Sequence, residues 1–317
     1  MTDNVNILMS VRNGERYLAE QIDSIQGQTV DGWHLSMRDD GSTDGTLRVL
    51  QEYVTRDPAR FDLLQAKGTS GSAVESFASL LNSARAGYIM FADQDDLWMR
   101  DKLERSLKAM KSAEAEVGTR VPILVHSDLV VVNDDLETIS ESFRRYHHFD
   151  PVMGHRLNRI LIQNVVVGCT AMLNPALAAL ARPIPKGILL HDWWAALIAS
   201  AFGRIVYLEE PTVLYRRHSR TQTSVIDYKT GWRRPLMATI EDLRSGKRVR
   251  ERLSQVIAQA ARFLDRFEKS LSPDHEEMVR AFVGLSTQDV LARRRTVLRH
   301  GFLMHGLRRN LSLLAFM

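Results

Sequence analysis

Among 317 residues there is a single cysteine, Cys169. A disulfide framework is therefore excluded, and a reducing compartment, the cytoplasm, is the expectation. Long apolar runs are also missing. The longest, Trp193 to Ala199, is about a third of the ~20 residues that a helical membrane span needs. Met1 to Asn4 carry an acid and no basic stretch, so no secretory signal is expected there. Neither a Walker A loop nor a Gly-x-Gly-x-x-Gly fingerprint occurs, which argues against a P-loop nucleotidase and against a dinucleotide dehydrogenase. Any phosphate must then be held by a metal and side chains.

The composition, 44% apolar and 25% charged, is that of a globular chain with a sizeable core. At roughly 100–200 residues per domain, about two folding units are expected. The net charge of +4 is unevenly spread, being −5 over residues 1–228 and +9 over residues 229–317. A basic tail suits either nucleic acid or an anionic membrane face. The tail lacks the interleaved aromatics of a stacking platform, so nucleic acid is not the expected partner.

From the start, short β-type runs alternate with helical patterns. Val5 to Val11, Trp33 to Arg38, Phe61 to Gln65, Tyr88 to Phe91 and Ile123 to Val132 read as strands. Arg16 to Gln26, Gly45 to Arg56, Ala73 to Ala84 and Arg100 to Glu116 read as helices between them. Such alternation predicts an α/β fold with a mainly parallel sheet. Further on, Asp192 to Phe202 reads as a helix and Arg204 to Leu208 as a strand. From Lys229 the β signal fades, and Ile240 to Ser270 and Asp274 to Arg299 carry helical spacing broken at Pro273.

Open sheets of this kind bind ligands beyond the carboxyl ends of their strands. Here those ends are polar: Arg12-Asn13-Gly14-Glu15, then Asp39-Asp40-Gly41-Ser42-Thr43-Asp44-Gly45, then Asp93-Gln94-Asp95-Asp96. Three carboxylates within four residues repel one another unless a cation or ligand offsets them. Hard oxygen donors select Mg²⁺ or Mn²⁺, often shared with substrate phosphates. The competing reading makes Asp95 or Asp96 the N-cap of a helix beginning near Met99. The Asp40 to Gln51 stretch fails as a calcium loop, because Gln51 stands where a bidentate Glu is required.

These motifs in order, with Val11-Arg12-Asn13-Gly14-Glu15-Arg16-Tyr17-Leu18 at the first strand end, resemble a family 2 glycosyltransferase of the GT-A fold. His191-Asp192-Trp193-Trp194 and Tyr215-Arg216-Arg217-His218 sharpen the resemblance toward the bacterial rhamnosyltransferase branch, over about Val5 to Ser224. The resemblance implies a Rossmann-like sheet in a catalytic domain over 1–228. Residues 1–132 would bind the nucleotide sugar, 133–228 would face the acceptor, and 229–317 would form a helical basic region.

The resemblance also implies a nucleotide diphosphate sugar donor, dTDP-L-rhamnose or another such as a UDP-hexose, a divalent metal, and inversion at the anomeric carbon. Carried over, Val11, Asn13, Glu15, Asp39, Asp40, Asp93 and Gln94 fall to the donor, and Asp95 to the metal. Arg216 and His218 fall to the diphosphate, His218 also to the metal, and Asp192 to the general base. The acceptor would be a glycan or a polyprenyl-linked glycan of surface polysaccharide assembly, such as an O-antigen. A non-catalytic nucleotide-sugar binding module is the alternative, against which the pairing of Asp95 with Asp192 argues.

Asp192 also reads as a helix N-cap, which would lower its pKa and keep it ionised. Trp193 and Trp194 offer a sugar-stacking wall from one of the two, or are both core. Gly168 lies in a stretch that lines the acceptor side or a buried strand. Cys169 has no base partner that would make it a nucleophile. Ala292 to Met317 holds six arginines and no acid, interleaved with apolar residues. It reads as a basic amphipathic helix that docks peripherally on an anionic membrane, or one that packs on the body or in a homodimer.

Overall fold

The computed structural model describes residues 4–65, 69, 71–218 and 246–317. In chain order the strands are β1 (Val5–Val11), β2 (Trp33–Asp39), β3 (Phe61–Leu63), β4 (Tyr88–Ala92), β5 (Leu97–Trp98), β6 (Ile123–Val132), β7 (Thr138–Ser140), β8 (Met172–Leu173) and β9 (Arg204–Arg216). The helices interspersed among them are α1 (Leu18–Gln26), α2 (Thr46–Arg56), α3 (Ala73–Ser83), α4 (Lys102–Val117), α5 (Phe143–His147), α6 (Pro151–Gly154), α7 (Leu157–Ile160), α8 (Pro175–Ala181) and α9 (His191–Phe202). Among the described residues, four more follow the last strand: α10 (Lys247–Phe267), α11 (Pro273–Val283), α12 (Val290–His300) and α13 (Leu307–Phe316).

The chain divides into two compact units, one of Met1–His147 with Val165–Arg216, the other of His148–Asn164 with Arg217–Met317. All the strands belong to the first. Their order is β3-β2-β1-β4-β8-β6-β9-β5, with β7 paired to β6. The β3-β2-β1-β4 run is parallel throughout, and β8 is antiparallel to both β4 and β6. β1, Val-Asn-Ile-Leu-Met-Ser-Val, is buried along nearly its whole length, as expected of a central parallel strand covered on both faces. α1 turns Leu18, Gln21, Ile22 and Ile25 inward, and α2 does the same with Thr46, Val49, Leu50 and Tyr53.

Two departures from the sequence reading shape the site. The chain after Asp96 makes the short β5, antiparallel to β9, before α4 begins at Lys102, so neither Asp95 nor Asp96 caps that helix. β9 runs on to Arg216, eight residues past the expected Leu208, with register shifts against β6 near Asp128. Those shifts accommodate a strand too polar and irregular to read from its pattern.

In the second unit, α10 presents Leu253, Val256, Ile257, Ala260, Phe263 and Phe267 to its core. The expected start of that helix at Ile240 lies outside the described residues. The single amphipathic helix expected over Ala292 to Met317 is instead two helices. Gly301, at φ 67°, ends α12 in the left-handed conformation, and Gly306, at φ 92°, precedes α13. Phe302 is fully buried between them, stacked on His300 and edge-on to Phe282.

Candidate active site

Because β2, β1 and β4 are parallel neighbours, the loops after them open on one edge of the sheet. Those loops are laced together through their own polar groups. The Arg12 N–H donates to Gln94 Oε1 at 2.7 Å, and Gln94 Nε2 donates to the Arg12 carbonyl at 3.0 Å. Asn13, at φ 50°, accepts the Thr43 N–H at 2.8 Å while its own N–H donates to Ser42 Oγ at 2.8 Å. Glu15 Oε2 accepts the Gly45 N–H at 2.9 Å, and Arg48 lies 3.6 Å from its other oxygen.

The carboxylate of Asp39 is taken up by the N–H and hydroxyl of Ser42, the latter at 2.5 Å. Asp40 is buried beside Arg38 at 3.8 Å, and its N–H donates to the Val11 carbonyl at 2.8 Å. Val11 is itself core. Asp44 does not occupy the cap position of α2, which falls to Gly45. Its Oδ1 instead accepts the Thr46 N–H at 3.1 Å, two residues on. Gln94, Asn13 and Glu15, expected at the donor, thus shape the loops that would receive it.

Asp93 and Asp95 stand half-buried just beyond β4. Burial, and after it the charges of Asp95 and Asp192, push the Asp93 carboxyl up to about 7. Carboxylates far apart in the chain therefore share one neighbourhood. Asp192 lies in the first turn of α9, whose cap position is Leu190. Its Oδ1 accepts the Trp193 N–H at 2.5 Å, and the Gly168 N–H donates to the same carboxylate. The expectation of a depressed pKa is corrected here. Burial outweighs these hydrogen bonds and pushes Asp192 up to about 7.

Gly168 earns its place by having no side chain. A Cβ there would stand 3.0 Å from His191 Nε2 and 3.2 Å from Asp192 Oδ2. His191, which sequence reasoning passed over, stacks on Phe77 at 3.9 Å and meets Phe91 edge-on at 4.4 Å. Burial pushes its imidazole down to about 3, so it is neutral beside the carboxylate. Its position directly before Asp192 was the only available signal.

The two tryptophans are corrected. Trp193 and Trp194 are both fully buried, and the Trp194 indole N–H donates to the Ala181 carbonyl at 3.1 Å. With α9 buried from His191 through Ala199, both rings belong to the core, and no stacking wall is presented. Arg216 is corrected as well. Its guanidinium donates to Glu20 at 2.5 Å and to the Asp134 carbonyl at 3.1 Å, and lies 4.5 Å from the Tyr17 ring centroid. The side chain is 3% exposed. What Arg216 gives the acidic cluster is its backbone N–H, donated to Asp96 at 3.2 Å. His218 belongs to the second unit.

Behind the half-buried pair, Asp96 is fully buried, and the Cys169 thiol donates to it. Ligand atoms of Asp93, Asp96 and Cys169 all lie within 4.8 Å of one another. Burial and the nearby carboxylates hold Cys169 as a thiol, its pKa raised, consistent with a structural role. Lys102, also fully buried, sits 4.7 Å from the Trp98 ring centroid and donates to Thr212 Oγ1 at 3.3 Å. Burial pushes its pKa down to about 8, against the opposing pull of Cys169 and Asp96. Sequence patterning had no means of marking a lysine at the start of a helix as interior.

The donor set fits a hard divalent cation. Apart from the Cys169 thiol it consists of carboxylate oxygens, whose mutual repulsion is evident in Asp93, and Asp96 Oδ2 is buried without a hydrogen-bond partner. Asp93 and Asp95 are the half-buried members of the cluster.

An α/β sheet of this strand order with helices on both sides and an acidic cluster after its fourth strand is the architecture of the GT-A fold. The sequence model of glycosyl transferase family 2 matches residues 6–173, more than half of the chain, and the chain belongs to that family. It is 25% identical over 232 residues to the dTDP-rhamnosyl transferase RfbG of Shigella flexneri, covering 71% of this chain and 77% of that one. Among solved structures, mannosyltransferase PcManGT from Pyrobaculum calidifontis, in complex with GDP-Man and Mn²⁺, superposes with a TM-score of 0.57 at 17% identity, covering 95% of this chain and 74% of that one. S. aureus TarS 1-349 in complex with UDP gives 0.56 at 13% identity, with 99% and 88% covered. Against a longer TarS structure the match spans 43% of that chain. These likenesses establish the fold.

Proposed function

We propose that this family 2 glycosyltransferase inverts the anomeric centre of a nucleotide diphosphate sugar. dTDP-L-rhamnose is the first candidate and a UDP-hexose the second, and the acceptor is a hydroxyl of a glycan or polyprenyl-linked glycan in bacterial surface polysaccharide assembly. The observation that carries the reading is the shared neighbourhood of Asp93, Asp95 and Asp192. Inversion needs one carboxylate to take the acceptor proton on the face opposite the leaving group, and Asp192 is assigned that role. Asp93 and Asp95 would hold Mg²⁺ or Mn²⁺, which supplies Lewis-acid relief of the charge that develops on the departing nucleotide diphosphate.

Asp192, with a pKa of about 7, is half ionised near neutrality and a stronger base than an ordinary carboxylate. The rhamnose donor rests on the likeness to RfbG and on the His191-Asp192-Trp193-Trp194 sequence. His218 is retained as a proposed diphosphate contact by resemblance. The test is a donor screen with Mn²⁺ or Mg²⁺, reading nucleotide diphosphate release from dTDP-rhamnose and from UDP-hexoses. Tight donor binding without release from any of them, with or without glycan acceptors, would replace this reading with that of a binding module.

A further inference from the structure

The second unit carries a surface that the transfer chemistry does not use. In α12, positions 291, 295 and 298 share one helical stripe, with 299 at its edge, and they hold Leu291, Arg295, Leu298 and Arg299. In α13, positions 307, 308, 311 and 315 do the same with Leu307, Arg308, Leu311 and Ala315. All eight are exposed. The four leucines are 63%, 58%, 74% and 57% exposed in chain order, far beyond what a packed helix leaves open. The opposite faces are spoken for: Val297 and Leu313 are buried, and Arg294 Nε ties the two helices together by donating to the Leu314 carbonyl at 2.7 Å.

The arginines divide in the same way. Arg293 donates to the carbonyls of Leu285 and Gln288, and Arg309 to that of His305, so both are structural. Arg295, Arg299 and Arg308 make no hydrogen bond or ion pair among the described residues. No acidic residue lies anywhere in Ala292 to Met317. Large exposed aliphatics alternating with uncommitted guanidinium groups fit neither an ordinary solvated face nor a phosphate backbone, which has nothing to cover the leucines. They match an anionic bilayer, where the side chains of an interfacial helix enter the acyl boundary and its cations meet the headgroups.

We propose that the solvent-facing stripes of α12 and α13 seat this protein on an anionic lipid surface, with Leu291, Leu298, Leu307 and Leu311 inserting and Arg295, Arg299 and Arg308 pairing with headgroup phosphates. The proposal is independent of the donor and acceptor assignments, because its readout is binding.

The experiment is co-sedimentation of the full chain with vesicles of phosphatidylcholine mixed with phosphatidylglycerol, against vesicles of phosphatidylcholine alone. The wild type is expected to sediment with the anionic vesicles only. The triple variant Arg295→Gln, Arg299→Gln, Arg308→Gln should partition roughly a hundredfold less, each arginine being worth about fivefold near such a surface. Leu298→Ser with Leu311→Ser should lose binding at both low and high salt. These positions are exposed, so both variants should retain the wild-type melting temperature. Three results would each overturn the proposal: no sedimentation of the wild type, equal sedimentation with both vesicle types, or variants that bind like the wild type. So would light scattering that shows a wild-type dimer made monomeric by the leucine changes, since a second copy would then own the surface.

Discussion

The backbone N–H of Gly168 donates to the carboxylate of Asp192, so a residue without a side chain fixes the orientation of the group assigned as base. Substituting Gly168→Ala places a methyl 3.0 Å from His191 Nε2 and 3.2 Å from Asp192 Oδ2. One of the two side chains must give way. We expect about 1–3 kcal/mol of lost stability from the overpacking. Turnover should fall by about 10²-fold, the penalty of a misplacement of about 1 Å. Donor affinity, measured by titration, should change far less than kcat.

Asp192→Asn preserves shape and removes the proton acceptor. Transfer should fall by about 10²–10⁴-fold while the dissociation constant for the nucleotide sugar stays near that of the wild type. A variant that turns over normally would move the base to another residue.

The acid limb of the rate profile should report the same group. A carboxyl raised to about 7 is protonated, and useless as a base, below that value, so log kcat should climb with pH and level off above about 7. Stability runs the opposite way. A carboxyl raised on folding contributes stability that is complete below its ordinary value of 3.8 and is lost as pH rises through about 7. Urea unfolding across that window should show wild-type stability falling with pH, and Asp192→Asn should flatten the part of the slope that belongs to this residue.

Removing a cation ligand should act at a different step. With Asp95→Ala, isothermal titration should show nucleotide diphosphate binding that Mn²⁺ no longer strengthens, whereas binding measured in chelator should match the wild type. Equal Mn²⁺ dependence in both proteins would take Asp95 out of the cation site.

Because both indoles are interior, Trp193→Ala should behave as a core truncation. A loss of about 3–5 kcal/mol in denaturant unfolding is expected. Trp194→Phe keeps most of the volume but gives up the bond to the Ala181 carbonyl, so a smaller loss, about 1–3 kcal/mol, should follow. A raised KM for acceptor with undiminished stability would return these rings to the cleft.

The parallel half of the sheet was legible because β4 is a continuous apolar run and β1 and β2 are short β-type runs, all followed abruptly by Asn, Asp and Gly, and that same punctuation exposed the acidic loops. In the second half only β6 and the start of β9 were legible. β5 and β8 are two residues each, too short for any period, and β9 changes register against β6 midway. At the site, sequence reasoning picked out the carboxylates by their clustering but misjudged the side chains whose role depends on what surrounds them. Arg216 looked like an anion ligand until Glu20, from α1, was found to hold it. Asp192 read as a helix N-cap with a lowered pKa until its burial was known. Nothing in the sequence sets Lys102 apart from a surface lysine, since its burial depends on what packs around it.

Arg216 makes contacts in two directions at once, its main chain gripping Asp96 and its side chain bolted to Glu20, Asp134 and Tyr17. It works as a rivet joining the floor beneath the acidic loop to the outer wall formed by α1. A change of its side chain would release Glu20 and the Asp134 carbonyl and loosen the strand end whose N–H holds Asp96. Kinetic data would then mimic a lost ligand when the fault is mechanical, and a charge-preserving Arg216→Lys, unable to span the same three partners, should fare little better than alanine.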